Sequence, residues 1–323
     1  MKEIVVLSGK GGTGKTMVVA SYAALAREAV LADCDVDAPN LHLLLQPTTV
    51  ERGDFTATRT AVIDGRKCNS CRRCVQACRF GAIKLLGSGN VQKVTIDSTA
   101  CEGCGVCMRI CPVDAVTLQD SKSGEWLVSR TRHGTMVHAL LEPGGENSGK
   151  LVALVKHKAK QIANQTGAGI VLVDGPPGIG CPAISALSGA DIVVIVAEPT
   201  RSGMSDFGRI VELAQGFGAR LALLINRYDI NQEIAKSIEA EAFEDGIPVL
   251  GLLPFDDEVV SAMARGLSVI ETSEGLISST IRRSWERLEA MVGGSVVADA
   301  QAKSQGRDCP ERQMRGGESS CDM

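Results

Sequence analysis

Aromatic residues are scarce, 3% of 323, so the chain lacks the stacked rings on which proteins hold single-stranded nucleic acid. Positive charge is not in excess either: 34 Lys and Arg stand against 38 Asp and Glu, a net charge of -4 that speaks against a nucleic-acid partner. No apolar run approaches the ~20 residues needed to cross a bilayer, and no basic amphipathic stretch offers a stable membrane anchor. The opening Met-Lys-Glu-Ile-Val-Val-Leu-Ser-Gly reads as a short strand entering glycines rather than the apolar core of a secretion signal, so a cytoplasmic location is expected. The four histidines, His42, His133, His138 and His157, share no ligand spacing, which argues against an imidazole metal site. What remains is a soluble globular chain, 44% hydrophobic, able to bury one substantial core plus a small module.

Cysteine is plentiful, with 12 residues, eight of them between Cys68 and Cys111. The run Cys68-x2-Cys71-x2-Cys74-x3-Cys78 recurs as Cys101-x2-Cys104-x2-Cys107-x3-Cys111, and each run is followed by an Ala-Ile or Ala-Val strand start, an internal duplication. Three cysteines three residues apart can wrap one cubane, while the fourth, at the end of the run, ligates the other cluster. Cys68, Cys71, Cys74 and Cys111 are therefore expected to hold one 4Fe-4S cluster, and Cys101, Cys104, Cys107 and Cys78 a second. Four thiolates also suit zinc, but duplicated ferredoxin spacing favours iron and sulfide. Pro112 follows Cys111, whereas Arg79 follows Cys78 and brings positive charge near a cluster. Residues 66–112 carry eight Lys or Arg against two Asp or Glu, which suits an acidic protein partner or an anionic substrate. Cys34 and Cys181 lie near nucleotide motifs in sequence and could equally be packing residues; Cys309 and Cys321 are too far apart for a close pair.

Short β-branched runs at residues 4–7, 30–32, 170–173, 192–196, 221–225 and 249–253 alternate with room for helices. This predicts an α/β fold, a parallel sheet covered by helices on both faces, with an inserted small α+β ferredoxin module. The expected division is a nucleotide domain at 1–58 and 122–295, the insertion at 59–121, and a disordered tail at 296–323. Residues 48–64, polar and poorly periodic, and residues 121–125, turn-like, would bound the insertion.

The pattern Gly9-x4-Gly14-Lys15-Thr16, between a strand and a helix, is a phosphate-binding loop. Backbone N–H groups of Gly11, Gly12, Thr13 and Gly14 would converge on phosphate, with Met17 in the following helix turn; Lys15 would neutralise charge and Thr16 hold Mg2+. Lys10 adds a second lysine, giving Lys10-Gly-Gly-Thr-Gly-Lys-Thr16, a deviant Walker A motif.

On these motifs the chain resembles, over roughly residues 1–290, the MinD/ParA/Mrp-type ATPases, related to the nitrogenase iron protein, and in particular members with an inserted two-cluster ferredoxin domain. The resemblance implies a Mg2+-dependent ATPase, slow or partner-stimulated, forming a nucleotide-dependent homodimer or a heterodimer with a paralogue. It implies that Lys10 reaches the partner's phosphates, that Asp35 orients the attacking water, and that Asp33 and Asp174 serve Mg2+. Asn226, Arg227 and Pro254 would flank adenine. Catalysis would thus rest on Lys10, Lys15 and Asp35, with ATP or ADP, Mg2+ and two 4Fe-4S clusters as cofactors. Nucleotide switching would control electron transfer, or docking of a redox partner or cofactor-assembly protein, in metal-cofactor or iron-sulfur assembly. The rival expectations are a spatial regulator and an iron-sulfur scaffold or carrier.

Overall fold

The computed structural model describes residues 1–87, 93–142 and 148–293. The proposed disordered tail, with Cys309 and Cys321, lies outside the described residues. Eleven strands succeed one another: β1 (Lys2–Ser8), β2 (Ala29–Asp33), β3 (Thr48–Ile63), β4 (Ile83–Leu86), β5 (Lys93–Ile96), β6 (Val116–Thr131), β7 (Gly134–Leu141), β8 (Ile170–Pro177), β9 (Ile192–Ala197), β10 (Arg220–Asn226) and β11 (Val249–Leu253). Nine form one sheet in the order β11-β10-β9-β1-β8-β2-β7-β6-β3. Neighbours from β11 to β7 are parallel, and β6 and β3 are added antiparallel. All six apolar runs are strands of the parallel part.

Those runs are apolar throughout because both faces of the sheet are covered. Val5, Leu7, Val171, Val173, Val193 and Ile195 pack against α5 (Ser148–Thr166), α6 (Cys181–Leu187), α7 (Arg201–Gln215) and α8 (Gln232–Glu244). Ile4, Val6, Leu172, Ile192 and Val194 point the other way, against α1 (Lys15–Leu25), α2 (Leu41–Leu45), α10 (Val269–Thr272) and α11 (Leu276–Val292). Each fully buried aliphatic side chain contributes about 1.5–3 kcal/mol. The remaining helices are short: α3 (Arg73–Ala77) and α4 (Val106–Arg109) lie within the two cysteine runs, and α9 (Asp257–Ala264) follows β11.

Two expectations are corrected here. Residues 48–64, poorly periodic in sequence and expected to bound the insertion, are instead nearly all one strand, β3, which pairs with β6 from Thr48↔Arg130 to Ile63↔Val116. Residues 121–125 are not a turn but lie inside β6, where register shifts around Thr56 absorb their irregularity. The strands thus run through residues 59 and 121 without a break. Beyond Gly124, the last β6 residue opposite β7, the two strands pair only with each other, so β3 is largely exposed and carries no apolar alternation. At the far end sit α3, the β4-β5 hairpin and α4, around a small core that includes Ala61, Ala82, Ile83, Val94, Ala115 and Val116. At the near end Arg132, in the β6-β7 turn, donates to Leu44 O (2.6 Å) and Gly266 O (3.1 Å) and pairs with Glu271.

Candidate functional site

The phosphate-binding loop leaves β1 at Ser8 and enters α1 at Lys15. Gly12 (φ 82°) and Gly14 (φ 94°) take left-handed conformations that a side chain would strain. Gly14 caps α1 without a side-chain hydrogen bond, so the first N–H groups of the helix stay available to an anion. Close approach matters as well: a Cβ on Gly14 would lie 2.4 Å from Asn226 Nδ2. That amide, at the end of β10, donates to Thr13 O at 2.7 Å and ties the loop to a strand two places along the sheet. Asn226 thereby braces the loop in addition to facing the cavity in front of it.

The cavity measures 620 Å3 and lies at the carboxyl ends of the parallel strands, where open α/β sheets bind ligands. Gly11, Gly12, Gly14, Lys15, Thr16 and Met17 line one side, Asp35 the second, and Asn226, Arg227 and Pro254 the third. Apolar Leu43, Leu44, Phe255, Val259 and Met263 extend it beyond those residues. Lys15 is 5% exposed and opposes the rise in pKa that burial imposes on Asp35.

Asp33 and Asp174 sit opposite each other on β2 and β8 and are fully buried. Burial, and then Asp174, push Asp33 well above the usual carboxylate range. Its oxygens accept from Asp35 N and Leu41 N, each at 3.2 Å, so Asp33 shapes the loop that carries Asp35. Burial raises Asp174 to about 6 against the pull of Lys15 and the Thr16 hydroxyl, yet neither of its carboxylate oxygens closes a hydrogen bond of ordinary geometry. A buried, orphaned carboxylate beside Thr16 is the donor set that Mg2+ takes.

Lys10 is not on the cavity wall. Its ammonium pairs with Glu198 Oε2 at 2.9 Å and donates to Thr200 Oγ1 (3.2 Å) and Ser202 Oγ (3.4 Å). Glu198 Oε1 also accepts from Arg227 at 2.9 Å. Burial opposes the ionisation of Glu198, but Lys10 and Arg227 together prevail and lower its pKa. Glu198 was missed from sequence, although it follows directly on β9 at the same sheet edge as the motifs that were recognised.

The eight clustered cysteines divide between two cavities. Cys68, Cys71, Cys74 and Cys111 line one, and Cys78, Cys101, Cys104 and Cys107 line the other. The second encloses 280 Å3 and the first 10 Å3. Among the described residues no three His, Cys, Asp or Glu side chains gather closely enough for a single metal ion. The thiols instead surround their cavities, four to each, the donor set of a 4Fe-4S cluster. Backbone N–H groups of Ala61 and Ala115 point at Cys101 Sγ (3.5 Å) and Cys111 Sγ (3.2 Å). Cys34 is buried in the sheet core, with its thiol pKa raised chiefly by that burial, and Cys181 is exposed at the start of α6. No helix among the described residues is long and apolar enough to cross a membrane.

Comparison with known proteins agrees with the nucleotide-site geometry. An uncharacterized protein of Methanocaldococcus jannaschii is 30% identical over 293 residues, covering 90% of this chain and 97% of that one. The MinD cell division protein of Aquifex aeolicus superposes with a TM-score of 0.52 at 19% identity, covering 90% of this chain and 98% of that one. The septum site-determining protein MinD of Pyrococcus horikoshii, solved with Mg-ADP, gives a TM-score of 0.53 at 16% identity, covering 92% and 99%. At those identities the likeness is one of fold. The CobQ/CobB/MinD/ParA nucleotide binding domain matches residues 4–269, and the chain belongs to that family.

Proposed function

We propose that this chain is a cytoplasmic, Mg2+-dependent ATPase whose nucleotide state governs an attached two-cluster iron-sulfur module. The observation that carries this reading is the pairing of the two donor sets: a phosphate loop that shares its cavity with Asp35 and sets Lys15 and Thr16 beside the buried Asp174, and eight thiols divided four and four. Loop N–H groups and Lys15 would bind the phosphates, Thr16 and Asp174 would hold Mg2+, and Asp35 would orient the attacking water. Phosphoryl transfer demands placement and charge neutralisation more than covalent help, and these residues supply both. Asn226, Arg227 and Pro254 would enclose the base, and Lys10, released from Glu198, would serve the phosphates of a partner in a homodimer or a heterodimer with a paralogue.

A bound 4Fe-4S cluster stores and passes single electrons. Cys68, Cys71, Cys74 and Cys111 would hold one, and Cys101, Cys104, Cys107 and Cys78 the other. Because β3 begins just after α2, which closes the Asp35 loop, movement of that loop on γ-phosphate is delivered to the strand that leads into the cysteines. The module would act in electron delivery to, or docking of, a redox partner or cofactor-assembly protein.

The test is anaerobic purification with iron and sulfide analysis, about eight of each per chain being expected, followed by electron paramagnetic resonance in Mg-ADP and in a nonhydrolysable ATP analogue. Spectra or potentials that shift with nucleotide support the coupling, and nucleotide-blind spectra together with unchanged partner affinity refute it. An Asp35→Ala variant that hydrolyses ATP as fast as the parent would remove Asp35 from the mechanism. The fold likeness to MinD favours a second reading, a spatial regulator, which requires ATP-dependent recruitment to a surface.

A further inference from the structure

We propose that the mouth of the Cys68/Cys71/Cys74/Cys111 cavity is the docking face for an acidic redox protein. The inference rests on the cluster reading for its purpose, but on surface charge for its substance. Arg66, Lys67, Arg72 and Arg73 fall within eight residues, all exposed, around the exposed Cys71, and Arg72 and Arg73 line the cavity. Arg66, Lys67 and Arg73 make no ion pair among the described residues. Asp64, the carboxylate nearest in sequence, turns an oxygen to Arg66 N at 2.9 Å.

Compensation of thiolate charge does not account for this concentration. The second cavity has as many thiols, yet its wall carries Glu102 together with one arginine, Arg79, whose guanidinium lies 4.9 Å over the Phe80 ring. Its rim is otherwise apolar, with Phe80 36% and Val106 42% exposed. Two mouths with equal donor sets therefore present different surfaces, one cationic and one largely apolar. Like charges crowded together repel, and an approaching surface of opposite sign relieves that repulsion and steers encounter. Duplex nucleic acid is disfavoured by a patch this small on a chain of net charge -4. A lipid surface is disfavoured because α3, the helix beside the patch, is only five residues long, too short for an amphipathic anchor.

The experiment measures binding of the full chain, with iron and sulfide quantified, to immobilised flavodoxin as the acidic redox probe, from roughly 50 to 500 mM salt. The parent should lose affinity as salt rises. The variant Arg66→Gln/Lys67→Gln/Arg73→Gln should bind about tenfold more weakly at low salt with a flattened salt dependence, while Arg79→Gln/Arg109→Gln stays within about twofold. Salt-independent binding by the parent overturns the proposal. So does equal loss in both variants, or a triple-variant defect that appears with anionic vesicles or duplex DNA and not with flavodoxin. A chain that holds no iron or sulfide defeats the cluster reading separately, since the variants' binding still judges the face.

Discussion

Lys156 joins three elements through one ammonium group, and its replacement by methionine should be among the most costly substitutions in the nucleotide domain. It is 4% exposed, lies 2.7 Å from Glu3 Oε1 on β1, and donates to the carbonyls of Ser185, Ala186 and Ser188 at the end of α6. Lys160 stands 2.7 Å from the other Glu3 oxygen, and among the described residues no further donor reaches that carboxylate. Lys156→Met keeps the aliphatic volume but leaves a buried carboxylate with one half-exposed partner and three carbonyls without a donor. Breaking a buried pair from one side costs about 3–5 kcal/mol, which in a domain of this size lowers the melting temperature by roughly 10 °C. Trp285, 4% exposed and 5.1 Å from the Tyr22 ring, reports the unfolding by fluorescence. Adding Glu3→Gln should recover part of the loss, because the uncompensated charge disappears. A single variant costing under about 1 kcal/mol, or a double variant less stable than Lys156→Met, would show that the buried pair does not hold α6 in place.

Glu198→Gln should free Lys10; the pair is only part-buried, so about 1 kcal/mol is at stake, and Lys10 acetylation measured by mass spectrometry should rise about fivefold. Unchanged labelling would mean that Glu198 does not restrain it. Gly14→Ala must adopt φ near 94° and displace Asn226 from Thr13 O, which should weaken Mg-ADP binding more than about tenfold by calorimetry while the circular dichroism is retained. His138 is buried on β7 with Nε2 2.9 Å from Ser129 Oγ, and burial, then His42, lower its pKa to about 4. Between the ordinary value of 6.5 and 4 the unfolded chain takes up a proton that the native chain refuses, so stability falls with pH across that window, by up to about 3 kcal/mol. His138→Gln should flatten that part of a urea-denaturation pH profile, and an unchanged slope would refute the assignment.

The central strands were legible because burial on both faces leaves its mark in residues such as Ile4, Val5, Val6 and Leu7, apolar without a break. The phosphate loop was legible because its glycines answer local backbone requirements that few other sequences satisfy. β3 was not, since its pairing lies with a strand 53 to 82 residues away and most of its surface meets solvent. Asn226 was expected from sequence to contact the base, but its bond to Thr13 depends on the approach of two strand ends that no local pattern encodes. Glu198 failed for a similar reason: its partners, Lys10 and Arg227, come from opposite ends of the domain.

The outer part of the β3-β6 ribbon, residues 116–123 of β6 and their partners, extends past the sheet by about 25 Å at ~3.3 Å per residue. Arg132 fixes the other end of β6 to Leu44, whose side chain faces the nucleotide cavity, so the ribbon has a fulcrum beside the site and a load of eight cysteines at its tip. From that fulcrum the arm spans the whole of β6, roughly 50 Å, so rotation by about 10° sweeps the tip through roughly 9 Å. In the proposed redox role, where electron tunnelling falls off steeply with distance, a change too small to break a single contact at the nucleotide would become, at the tip, the difference between an electron that crosses and one that stays.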